Sequence, residues 1–75
     1  MYTPSEKDRK NIDNNFVYHV PKPDQKDRYV LLRDETKKLA ELFVVNCPGS
    51  RELSLAITKL EEAVFWANAS IARNE

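Results

Sequence analysis

The sequence predicts an all-α protein: a short N-terminal helix followed by an antiparallel hairpin of two long helices. Three observations carry this expectation. Apolar residues recur at three-and-four spacing through two long segments. The strongest chain breakers, four prolines and one glycine, fall between the segments and not inside them. The link Cys47-Pro48-Gly49-Ser50 is short enough to force its two helices antiparallel.

The first segment opens Thr3-Pro4-Ser5-Glu6. Thr3 is a candidate cap, Pro4 suits the first helical position, and Glu6 can reach back to close a capping box. A short helix is expected over 3–14, weak because only Ile12 and Phe16 offer apolar anchors. Pro21 and Pro23 keep 15–23 extended, since each disfavours helical geometry in the residue before it. Asp24 is the expected cap of a helix over 24–46, with Asp27 in its first turn, where the dipole favours an anion. Tyr29, Leu32, Thr36, Leu39, Ala40 and Phe43 share one face of that helix. The last helix is expected over 50–73. Leu53, Ala56, Ile57, Leu60, Val64, Ala67 and Ile71 form one stripe. A second stripe runs through Leu55, Glu62, Trp66 and Ser70, flanked by Phe65 and Ala69.

That second stripe is one more than a hairpin needs, because a helix packed on one neighbour requires a single apolar face. A large exposed apolar patch is uncommon on a monomer. A chain of 75 residues is also short for independent stability. One cysteine excludes an internal disulfide, and one histidine excludes a His/Cys metal cluster. Self-association is therefore the expected source of stability.

Lys plus Arg equal Asp plus Glu at 12 each, so the basic excess of a DNA- or RNA-binding domain is absent. No apolar run is long enough to span a bilayer and no segment reads as a signal peptide, so a cytoplasmic protein is expected. Catalysis is not expected either. Cys47 stands at a helix C-terminus, which disfavours a thiolate. Glu61 and Glu62 diverge by about 100° on their helix. With a single glycine no phosphate loop can form, so any phosphate must be met by side chains or helix N-termini. No cofactor is expected. Phe16, Tyr18 and His19 have no obvious core partner and stand near Lys22 and Arg33. Aromatics for bases beside cations for phosphates form a pattern suited to a small nucleotide; equally, Phe16 and Tyr18 would pin the first helix to the hairpin.

The run from Ser50 to Asn74 carries Arg51-Glu52, then Leu55-Ala56-Ile57-Thr58-Lys59-Leu60-Glu61-Glu62-Ala63, Trp66-Ala67-Asn68 and Ile71-Ala72-Arg73. It resembles the C-terminal helix of a phage hairpin-domain family. That family includes the anti-CBASS cyclic-nucleotide sponges and the related hairpin of anti-Thoeris sponges. Tyr18-His19 with Pro21, then Arg28-Tyr29 with Leu32-Arg33, is similar to the family's N-terminal half. The resemblance implies a homohexamer that sequesters cyclic dinucleotides between paired subunits without cleaving them. It also implies cyclic trinucleotide sites on three-fold faces. By position, Tyr18 would stack on a base of the dinucleotide, His19 and Lys22 would line that pocket, and Arg33 would meet a phosphate where the family's alternative is Lys. Arg73 would meet trinucleotide phosphates, with Asn68 and Thr36 nearby. The competing expectation is a helical antagonist that lays Phe65 and Trp66 on a host protein.

Overall fold

The computed structural model describes residues 3–75. They form three helices and, among the described residues, no strand: α1 (Glu6–Asn15), α2 (Pro23–Asn46) and α3 (Arg51–Asn74).

Each helix start has a local cause. Ser5, not Thr3, caps α1. Its Oγ accepts from the Asp8 amide at 3.1 Å, and the Asp8 carboxylate accepts from the Ser5 amide at 3.0 Å. This corrects the expected box of Thr3 and Glu6, and the first helical residue is Glu6, not Pro4. The reason is local: Ser5 is itself extended, and Ser-x-x-Asp closes the same reciprocal pair two residues later. α2 starts at Pro23, so Lys22 and not Asp24 is its cap. Proline is well suited to the first helical position, having no amide to leave unpaired. The Gln25 side-chain oxygen accepts from the Lys22 amide at 2.9 Å. α2 ends at Asn46, before the extended Cys47, which Pro48 follows. The Ser50 hydroxyl oxygen then caps α3, accepting from the Leu53 amide at 3.1 Å.

Helices α2 and α3 lie side by side and make the one extensive helix–helix contact among the described residues. Leu32, Thr36, Ala40 and Phe43 meet the α3 stripe of Leu53, Ala56, Ile57, Leu60, Val64, Ala67 and Ile71. All of these are only half-buried, and Leu39 of the expected α2 face is exposed.

No apolar side chain is fully buried among the described residues; the one buried residue is Gln25, 3% exposed. The molecule measures 49 × 39 × 13 Å. Its least dimension is close to the roughly 10–12 Å diameter of one helix with side chains, so the hairpin is a single layer. Its radius of gyration is 16.8 Å, against about 11 Å for a compact domain of this length. Its accessible surface is 6344 Å², where a compact monomer of this mass would show roughly 4,700 Å². Much of the surplus is apolar. Phe65 is 65% and Trp66 68% exposed, and Leu31, Leu42, Val44 and Val45 are open on α2.

Because the Ser50 cap holds the start of α3, Ser50→Ala is expected to destabilise the fold by about 0.5–2 kcal/mol. Urea denaturation followed by circular dichroism measures this; an unchanged midpoint and slope would show that the cap contributes nothing.

Candidate functional site

The ends of all three helices meet. Asn14, near the end of α1, donates from its side chain to the Arg73 carbonyl at 3.1 Å. The His19 Nε2 lies 2.8 Å from the Asn14 carbonyl oxygen. A carbonyl can only accept, so this nitrogen carries the proton and donates. The pair of bonds ties α1 to the end of α3 and the extended arm 16–22 to α1.

A second set of bonds closes the other side. Arg28 on α2 binds both carboxylate oxygens of Glu75, one of them at 2.8 Å, and also reaches Asp24 at 3.1 Å. Lys22 donates from Nζ to the Glu75 carbonyl at 2.5 Å, and Gln25 donates to the Glu75 carboxylate at 3.4 Å. Glu75 therefore holds the cap residue of α2 and two residues of its first two turns. The hydrogen bonds from Arg28 bring its carboxyl down to about 2 from an ordinary 4.5, with partial desolvation opposing and the Gln25 bond assisting. Arg28 is in turn held more firmly protonated, chiefly by its hydrogen bond to Glu75.

Between arm and hairpin lies an open cleft of about 340 Å³. Val17, Tyr18 and His19 supply one wall, and Tyr29, Asn68 and Arg73 the other, with Ala69 and Ala72 adding little bulk between them. Tyr18 is 80% exposed, so its ring is free to stack. The Arg73 guanidinium forms no ion pair among the described residues. A flat aromatic face, an amide and an unpaired cation thus share one recess.

This grouping differs from that implied by resemblance. Within one copy, Tyr18 and His19 share their cleft with Asn68 and Arg73. Arg33 and Thr36 line a separate groove of about 280 Å³ floored by Ala40, Ile57, Leu60, Val64 and Phe65. Arg33 has no ion-pair partner among the described residues, whereas the Thr36 hydroxyl donates back to the Leu32 carbonyl at 2.7 Å. Lys22 faces Glu75. Tyr29 carries the period of the α2 apolar face, and its place in the cleft has no local sequence signal. Arg73 also lines a wider recess of about 510 Å³ with Glu62, Phe65, Trp66 and Ala69.

Residues 8–72 match the family model described as the Acb2/Tad1 hairpin domain. The chain belongs to the Acb2/Tad1 hairpin-domain family. Membership implies a sponge-type function directed at anti-phage defence. No curated protein and no solved structure matches the chain. The matched span includes the whole arm and the lining of the Tyr18 cleft except Arg73, which follows it by one residue. No described helix is long and apolar enough to cross a membrane.

The Glu75 contacts make the cleft sensitive to acid. The folded carboxyl titrates near 2 and the unfolded one near 4.5. A depressed acid stabilises the fold fully above its unfolded value and progressively less as pH falls toward its folded one. Amide exchange of residues 16–22 is accordingly expected to speed up as pH drops from about 5 to 2, after correction for intrinsic exchange. Glu75→Gln should show faster exchange already at neutral pH and a flatter acid response. The same acid response in wild type and variant would remove Glu75 as the cause.

Proposed function

We propose that this chain is a phage-encoded sponge that binds cyclic oligonucleotide second messengers, cyclic dinucleotides and also cyclic trinucleotides, and withholds them uncleaved from bacterial CBASS effectors. The observation that carries the reading is the Tyr18 cleft. All of its lining but Arg73 lies inside the family-matched span, and it sets a free aromatic ring opposite that unpaired arginine. Aromatic stacking with a cation for phosphate is the standard means of holding nucleotides without a strongly basic surface.

The ligand is shared between copies in this reading. One copy's recess of about 340 Å³ sits near the bottom of the usual range for small-molecule sites, roughly 300–1,000 Å³. Arg33, unpaired in its own groove, is available to reach a phosphate from a neighbouring copy, with Tyr18, His19 and Lys22 on the other side. Arg73, with Asn68 and Thr36, serves the trinucleotide. Six copies form the assembly, as family resemblance implies. Its physical support is the uncovered apolar surface around Phe65, Trp66, Leu31 and Leu42.

Two observations support sequestration in place of turnover. The ring nitrogen Nε2 of His19 is engaged by the Asn14 carbonyl. Cys47 lies at the far end of α2, about 36 Å along the helix axis from the arm. The site of action is the host cytoplasm, where such messengers are made.

Two measurements test the reading. Titration calorimetry with a panel of cyclic di- and trinucleotides is expected to show tight binding, about one dinucleotide per two chains. Tyr18→Ala should lose roughly 1–3 kcal/mol per stacked base. Ligand released by heat should have the mass of the intact ring. Unchanged affinity in Tyr18→Ala overturns the pocket assignment, and linear products overturn the non-catalytic one. Light scattering should give a mass near six chains, and Trp66→Asp should reduce it. A folded monomer in dilute solution would instead favour a protein antagonist that presents the exposed Phe65 and Trp66 to a host protein.

A further inference from the structure

The arm 16–22 is tied down near both ends. At its start, the Asn14 side chain is bonded to the Arg73 carbonyl. At its end, Lys22 is held by Glu75 in two ways. The Lys22 ammonium donates to the Glu75 carbonyl at 2.5 Å. The Lys22 amide donates to the Gln25 side-chain oxygen at 2.9 Å, and the Gln25 side-chain nitrogen donates to the Glu75 carboxylate at 3.4 Å. Gln25 is thus a bridge between the arm's backbone and Glu75, and at 3% exposed it is shielded from competing water. Arg28 aims the clasp by binding both oxygens of the same carboxylate. Between the two ties, Phe16, Val17, Tyr18 and Val20 are all exposed.

We propose that Glu75 is a positioning residue for the Tyr18 cleft: by clasping Lys22, directly and through Gln25, it holds the arm where Tyr18 can stack, and so raises dinucleotide affinity without touching the dinucleotide. The inference rests on the cyclic-oligonucleotide reading above and adds to it a residue outside the cleft lining. Glu75 also lies beyond the matched residues 8–72, so family membership does not supply the clasp. The sequence of the arm makes Lys22 an effective handle. Lys22 stands between Pro21 and Pro23 and is extended, with φ −75° and ψ 159°. Each proline fixes its own φ and keeps the residue before it extended. The run 20–23 is therefore stiff, and holding Lys22 sets the direction of the chain that leads to Tyr18, four residues earlier. A segment closed at both ends explores fewer positions than one held at a single end. When the clasp is lost, the arm spends part of its time away from the cleft, and apparent affinity falls by that fraction.

The test is a double-mutant cycle read by titration calorimetry. The probes are 3′,3′-cyclic di-AMP, 3′,3′-cyclic di-GMP and 3′,3′-cyclic GMP-AMP, and the cycle uses whichever binds wild type most tightly. Glu75→Ala is expected to weaken that binding about fivefold, the effect of losing a half-exposed ion-pair clasp. In a Tyr18→Ala background the same substitution should change affinity by less than about twofold, the scatter of independent sites. A general loss of fold would lower affinity equally in both backgrounds, so the cycle separates positioning from stability. Where Glu75→Ala alters helix content by circular dichroism or particle mass by light scattering, Glu75→Gln takes its place. Where Tyr18→Ala binds too weakly to titrate, Tyr18→Leu, which keeps apolar bulk without a flat ring, is the background. Unchanged or tighter binding by the Glu75 variant overturns the proposal. So does a fivefold loss that persists without the Tyr18 ring. Binding of none of the three probes to wild type overturns the cyclic-dinucleotide reading itself, and this inference with it.

Discussion

Two helices laid side by side have no inside. Every other property of this molecule depends on that constraint. The seam between α2 and α3 covers one flank of each helix, and even the seam residues keep part of their surface in water. A third layer would be needed to enclose them, and α1 does not supply it, because none of its residues is buried. The surface left open is aliphatic on α2 and both aromatic and aliphatic on α3. In this respect the chain is like half of a core. Its apolar flanks stand in water, and the cost of leaving them there rises with area.

With so little apolar enclosure, order at the arm is set by polar contacts. The arm bearing Tyr18 has no hydrophobic anchor of its own, and Phe16, Val17 and Val20 are all open. Its course is fixed instead by polar contacts: Asn14 binds the Arg73 carbonyl, His19 binds the Asn14 carbonyl, and Lys22 and Gln25 bind Glu75 just past α3. Hydrogen bonds hold position through direction and distance more than through strength. That is suitable for a recess that must stay open. An apolar anchor would draw the arm onto α3 and close the cleft.

The long helices were legible in the sequence because their signal is local and repeated. The α3 stripe from Leu53 to Ile71 states its period several times over. The caps were less legible. Thr3 and Ser5 are both good caps, and choosing between them depends on whether residue 6 or residue 8 closes the box. Tyr18 and His19 stood out because they belong to no stripe. Their neighbours in the cleft did not. Asn68 and Arg73 lie some fifty residues further along, and Tyr29 carries the period of an ordinary helix face. The contact between Asn14 and Arg73 that closes the arm has no sequence signature, since a hydrogen bond between distant residues leaves no periodic trace.

The hairpin turn has a practical consequence. Cys47 is the single thiol in the chain and is exposed where α2 ends. A maleimide dye would therefore attach at one defined point, a helix length away from the Tyr18 cleft. Energy transfer between dyes on separate copies could then follow encounters between chains in real time, with the aromatic face and the arm both left chemically untouched.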